Sequence, residues 1–310
     1  MSIEIITTIL LAVGALTIIT LERLFPYTKG MKFFREGFWL DLVWYTIIQS
    51  YVLKIVIFDY IILPIDQHYG LSRLQLVADW SLLTQVLFFL VLHDFYIYWF
   101  HRFQHYSPIF WRTHEAHHSN KEVDWLAGSR SHILEIVINQ TIEFAPIILL
   151  GANPAVIPIK ALLDAIWGMY IHSNINVKMG KLQYFINGPE MHQWHHADYK
   201  EVFHANFATK FAIFDWIFGT AYLPGHKPIK FGLYYDYPRE YVLQHVFSFF
   251  RFDVKKLEAE PHWHAYIFLR QNIMHAIAQK LGWAQASPNV GTKADNSPNA
   301  DTNSSLSKPA

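Results

Sequence analysis

The sequence predicts an all-α fold: an integral membrane helical bundle of about four to five spans that carries histidine boxes at its cytosolic side. Three observations predict it. Of 310 residues, 52% are hydrophobic and only 16% charged, a balance too apolar for an ordinary soluble domain. The apolar residues gather into runs long enough to cross a bilayer. The 18 histidines are spread unevenly, and most fall between His93 and His204. Lys plus Arg (25) balance Asp plus Glu (25) without any basic block, which excludes a nucleic-acid partner. Cys is absent, so this sequence builds no disulfide, thiolate zinc site or iron–sulfur module, and electrons, where needed, come from elsewhere.

Residues 5–21 carry no charge, with Glu4 before them and Glu22 and Arg23 after. No small-residue cleavage site follows, so this reads as a retained span. A second apolar stretch, 38–65, crosses despite Asp41, Lys54 and Asp59. The third, 82–103, begins purely apolar and leaves carrying His93, His101 and, just beyond, His105. Residues 133–150 and 155–172 form two further spans around Gly151, Asn153 and Pro154, a turn short enough for a helical hairpin. Arg23, Lys29, Lys32 and Arg35 follow the first span, against Arg73 alone after the second, which places the first loop in the cytoplasm. Counting spans forward then brings every histidine cluster to that same cytosolic side. Residues 241–252 and 263–283 read as amphipathic helices on the membrane surface, and 286–310, rich in Ser, Asn and Pro, as a disordered tail. The chain is thus expected to divide into N-terminal spans and loops (1–80), a histidine-box catalytic domain (81–235), C-terminal amphipathic helices (236–285) and the tail (286–310).

His101 and His105 stand in HRFQH, four residues apart and on one helical face. His114, His117 and His118 form HEAHH, with Trp111 and Thr113 marking the expected helix start. His192, His195 and His196 repeat that pattern as HQWHH, entered through Asn187, Gly188 and Pro189. Two H-x-x-H-H boxes exceed chance. Neutral imidazole is a strong nitrogen donor, and eight uncoordinated rings in one place would crowd and resist ionisation. One catalytic zinc takes about three protein ligands, so this supply suits two ions at four or five each. Imidazole serves zinc, copper, iron or nickel, and spacing does not choose among them. The boxes differ from H-E-x-x-H, because Ala116, His117 and His118 follow His114 and Glu115, which disfavours a zinc hydrolase.

HDFYIYWFHRFQH, WRTHEAHH, GPEMHQWHH and NFATKFAIFDWIFGT together resemble the fatty acid hydroxylase / sterol desaturase superfamily over residues 92–220. The resemblance implies a membrane enzyme with a cytosolic helical cap carrying the histidine boxes, two non-haem iron ions, O₂ as co-substrate, a lipid substrate, and a separate electron-transfer protein or reductase. It implies hydroxylation of a fatty acyl chain, sterol or ether lipid first, with desaturation of a sterol or related lipid by the same centre as the alternative; a non-catalytic metal-dependent membrane binding protein is a third reading, disfavoured because all three boxes are intact. Carried over by motif, the metal ligands and catalytic residues are His101, His105, His114, His117, His118, His192, His195 and His196. His172 matches the lone histidine closing the last span. One branch of the family has a further histidine one turn earlier, where this chain has Gly168, so one coordination position is left unassigned, open to a water or another residue. Asn176 and His204 are lesser ligand candidates, His93 a candidate for the substrate channel, and His132 an interfacial hydrogen-bonding group. Asp94, Glu115, Asp198 and Asp215 are candidate acceptors for the outer N–H of a ligating ring.

Overall fold

The computed structural model describes residues 1–259, 273, 275–277 and 279–281. Residues 1–259 form one compact unit; in a second, 260–310, the few described residues are helical as far as Lys280. Most of the helix expected at 263–283, and all of the tail at 286–310, lie outside the described residues. No strand occurs among those described, only isolated bridges pairing Pro26 with Ile175 and Ala197 with Phe231.

Three helices are long and apolar enough to cross a membrane: α1 (Ile3–Leu24), α2 (Leu40–Tyr69) and α3 (Leu82–Tyr106). Their flanks leave Ile9, Val13, Leu16, Tyr51, Leu83 and Leu87 exposed, a surface that suits lipid. α2 winds partly as π-helix, at Leu40–Gln49 and Val56–Ile62. The expected hairpin is present as α5 (Ile133–Leu149) and α6 (Val156–His172). Each has 17 residues, which at ~1.5 Å per residue falls short of a hydrocarbon core of ~30 Å. The core joins α2, α3, α5 and α6 through Leu53, Ile57, Val86, Phe89, Phe144, Ile147 and Val156.

Local chemistry then bends the chain into a site. Ser81 Oγ accepts from the Thr84 N–H (3.1 Å) and caps α3, and Ser107, extended, is the sole residue between α3 and α4 (Pro108–His118). Ser107 also caps α4, with Pro108 in its first turn, so α4 begins three residues before Trp111, the expected start. The turn at Ser107 folds the HEAHH box back onto the HRFQH box. The short helix α7 (Pro189–His195) starts at Gly188–Pro189 as its sequence predicts.

One loop charge behaves differently from expectation. Arg35 is fully buried, donating to Asp41 (2.8 Å) and Asp124 (2.7 Å), while Arg130 Nε donates to Asp41 from the other side (2.7 Å). It ties the first loop to the α4–α5 connection, and so drops out of the charge count that orients the spans.

Candidate metal centre

All nine histidines expected as ligands meet in two adjoining groups. His101, His105, His114, His118 and His195 bring five nitrogens within 4.8 Å of one another, and His117, His172, His192 and His196 bring four. Eight of the rings are buried and His105 is half-buried.

The outer nitrogens explain how the rings are aimed. His101, His105 and His195 donate Nδ1–H to the carbonyls of Phe207 (2.8 Å), Phe203 (2.7 Å) and Ala205 (2.8 Å), alternate residues of one strap. That strap is fixed by Asp215, which accepts from the Phe207 and Ala208 N–H groups, and by Asn206, whose amide spans Met191 and Tyr222. Asp94 extends the hold by accepting from the Lys210 and Phe211 N–H groups and from Thr209. His117 donates to the Arg130 carbonyl (3.1 Å) and His172 to that of Gly168 (2.7 Å). His114 donates to Glu135 Oε1 (2.8 Å).

A carbonyl or carboxylate oxygen accepts the hydrogen bond from Nδ1–H, so in a neutral ring Nε2 is left as a bare lone pair. Yet the His114 and His101 Nε2 atoms lie 3.0 Å apart, and those of His172 and His117 3.3 Å. Neither pair has a proton to share. His192 Nε2 lies 2.9 Å from His172 and 3.1 Å from His196, where one proton serves at most one contact. Protonation offers no relief: burial first, then His172 beside it, pulls His117 down from 6.5 to about 3. Burial and neighbouring imidazoles likewise hold His114, His118, His192, His195 and His196 well below the ordinary value. Facing lone pairs repel unless a cation lies between them, so the donor set fits two metal ions.

A cavity of about 210 Å³ adjoins both groups, lined by His101, His114, His117, His172 and His192. Gly168 lines it too, and a Cβ built there meets nothing within 4 Å. The position where some relatives have a further histidine is therefore open space beside the four-histidine group.

The family model described as fatty acid hydroxylase matches residues 86–220, the stretch that holds all nine rings. The histidine-bearing segment belongs to the fatty acid hydroxylase family. Among curated proteins it is similar to the ornithine lipid hydroxylase of Rhizobium tropici, 28% identical over 146 residues, 47% of this chain and 44% of the relative. Human alkylglycerol monooxygenase is 30% identical over 140 residues, 45% of this chain and 31% of the relative. A very-long-chain aldehyde decarbonylase of Oryza sativa subsp. indica is 27% identical over 157 residues, 49% and 57%. The matched part spans less than two thirds of each of these relatives. No solved structure matches.

The remaining candidates fall outside the ligand groups of this fatty acid hydroxylase segment. Asn176 is exposed, and its N–H donates to the Phe25 carbonyl. His204 is exposed and its ring lies tilted against Tyr106 at 4.1 Å between ring centres. His132 accepts from the Leu134 N–H and lies against His245, at the start of α5. Asp94 and Asp215 support the strap, Glu115 pairs with Arg251 (2.7 Å) and Asp198 with Lys230 (2.5 Å), so none of these four receives an outer ring N–H. Glu135 takes that role for His114. Its signal in the sequence was a carboxylate in the first turn of a predominantly apolar helix.

Close approach makes Gly128 a second sensitive point. A Cβ there would lie 2.5 Å from His172 Nδ1 and 2.6 Å from Cε1, so Gly128→Val must displace that ring. Metal affinity should fall by at least the ~10–100-fold seen when a ligand's orienting partner is lost, confined to one of two sites. Chelator titration followed by metal analysis reads this, and unchanged affinity at both sites would refute the close-approach argument.

Proposed function

We propose that this chain is a membrane-bound di-iron lipid hydroxylase that inserts one atom of O₂ into a C–H bond. The proton-free contacts between paired Nε2 atoms carry the proposal, because they call for cations at two places. His101, His105, His114, His118 and His195 would hold one ion, and His117, His172, His192 and His196 the other. When bound and reduced, the ions supply O₂ activation and hydrogen abstraction. The relatives named for lipid hydroxylation and alkylglycerol monooxygenation support the lipid substrate and O₂ chemistry.

The residues of this chain supply placement. Backbone carbonyls at 203, 205 and 207 fix the tautomer and tilt of three rings without adding charge. Glu135 makes His114 a more electron-rich donor. Gly168 keeps the cavity clear beside the four-histidine group, where a lipid segment and O₂ can meet. The overall balance is RH + O₂ + 2e⁻ + 2H⁺ → ROH + H₂O, with electrons from a separate reductase on the cytosolic side.

Iron-loaded full chain in lipid nanodiscs, given a chemical reductant, a cellular lipid extract and ¹⁸O₂, should consume O₂ and leave one labelled oxygen in a lipid product. No O₂ uptake with any extract would overturn the proposal. Uptake without label in the lipid, together with a new double bond, would replace hydroxylation by desaturation.

A further inference from the structure

The cavity beside the metal centre has a second, charged wall. Lys160 Nζ, with its side chain fully buried, donates to Glu143 (2.7 Å), Asp164 (2.5 Å) and His93 Nδ1 (3.1 Å). Lys210 Nζ lies 2.8 Å from the other Asp164 oxygen and 3.6 Å from Asp94. His93, Glu143 and Asp164 are close enough to resemble a third metal triad, but the Lys160 ammonium already sits among them as the cation. Because His93 Nδ1 accepts from Lys160, its Nε2 carries the proton. That N–H is buried without a hydrogen-bond partner, its nearest carboxylate, Glu143, being 3.8 Å away.

His93, Asp164, Thr209 and Lys210 line the cavity together with the metal-ligand candidates. Buried charges on helices of a membrane bundle are costly, and their usual justification is a ligand or pathway. Resting on the lipid hydroxylase function proposed above, we propose that this wall is the specificity subsite for an uncharged polar group of the lipid. A hydroxyl, ether or amide oxygen is the chemistry it takes. Asp164 and Lys210 are paired with each other, so toward the cavity they present a dipole rather than a net charge. A hydroxyl can donate to one and accept from the other or from His93. A carboxylate would add a fourth acid to Asp94, Glu143 and Asp164, and an amine a third cation to Lys160 and Lys210, each uncompensated where water is scarce.

Size and spacing fit a segment rather than a whole lipid. About 210 Å³ lies below the roughly 300–1,000 Å³ of pockets that enclose drug-sized ligands. His93 and His101 are eight residues apart on α3, roughly 12 Å along its axis. The oxidised carbon therefore lies about that far from the polar group.

The test uses metal-free full chain and reads apparent affinity from the dose dependence of its unfolding midpoint. The probes are 1-O-hexadecylglycerol, hexadecane, hexadecanoate and hexadecylamine. The alkylglycerol should bind at least tenfold more tightly than the other three. In Asp164→Asn/Lys210→Gln, which keeps net charge unchanged, that preference should shrink to within twofold while hexadecane binding stays. His93→Phe, isosteric enough to fold if the double variant does not, should weaken the preference too. Equal binding of all four probes by the natural protein overturns the proposal, as does tighter binding of the acid or amine. A preference that survives in both variants also overturns it. Since no metal is needed, failure of the di-iron function and failure of this subsite give different results.

Discussion

Alanine at His117 should abolish turnover and lower the iron bound per chain from two toward one. His117 belongs to the four-histidine group, and removing it leaves His172, His192 and His196, with the Gly168 position offering no replacement. The five-histidine group keeps every ring. A bound metal lowers the reaction barrier by several kcal/mol, and each ~1.4 kcal/mol is tenfold, so losing one ion of a cooperating pair should cost roughly three orders of magnitude in kcat. Folding should survive, because the substitution removes a buried group whose Nε2 has no proton to share with His172. Metal analysis beside a turnover assay checks both halves. Full iron content with full activity would remove His117 from the centre and, with it, the case for two ions. The same change at exposed His204 should leave iron content unaltered.

The boxes were legible because helical spacing alone stacks their rings, and the motifs extended the set to His172. What orients those rings was not legible. Five outer nitrogens donate to main-chain carbonyls, which every residue possesses, so no side chain marks Phe203, Ala205 or Phe207 as partners. The four acids singled out from the sequence as acceptors for an outer ring N–H do not take that role; Asp94 and Asp215 act one step further out, holding the strap that bears the carbonyls. The hairpin and the long apolar helices followed from apolar runs and the turn at Asn153–Pro154, whereas the π-wound stretches of α2 did not. The charged wall was half visible: Lys160 and Asp164 stand four apart inside an apolar run, a pairing that itself signals a buried polar site. Their third partner, Glu143, lies on the preceding helix, and only the hairpin brings it into place.

Asp41 shows how a residue far from the boxes in sequence reaches the metal centre. Its two oxygens accept from Arg130 (2.7 Å) and Arg35 (2.8 Å), all three side chains being buried. The carbonyl of that same Arg130 accepts from His117 Nδ1. Asp41→Ala leaves Arg35 with Asp124 but takes away the one acid paired with Arg130 among the described residues. Breaking a buried pair by removing one partner costs ~3–5 kcal/mol, because the stranded charge stays desolvated. The expected result is a loss of that size in chemical denaturation of detergent-solubilised protein. Iron affinity of the four-histidine group should weaken with it, as the 130 carbonyl moves away from His117. Asp41→Leu/Arg130→Met separates the two effects. Replacing both charges by apolar groups of similar volume should restore most of the stability. Iron binding should recover as well, provided that the backbone at 130 returns to place, since His117 is oriented by a main-chain oxygen that the Met side chain does not alter. Stability regained without iron affinity would show that the guanidinium, rather than the carbonyl it helps to position, is what the centre requires.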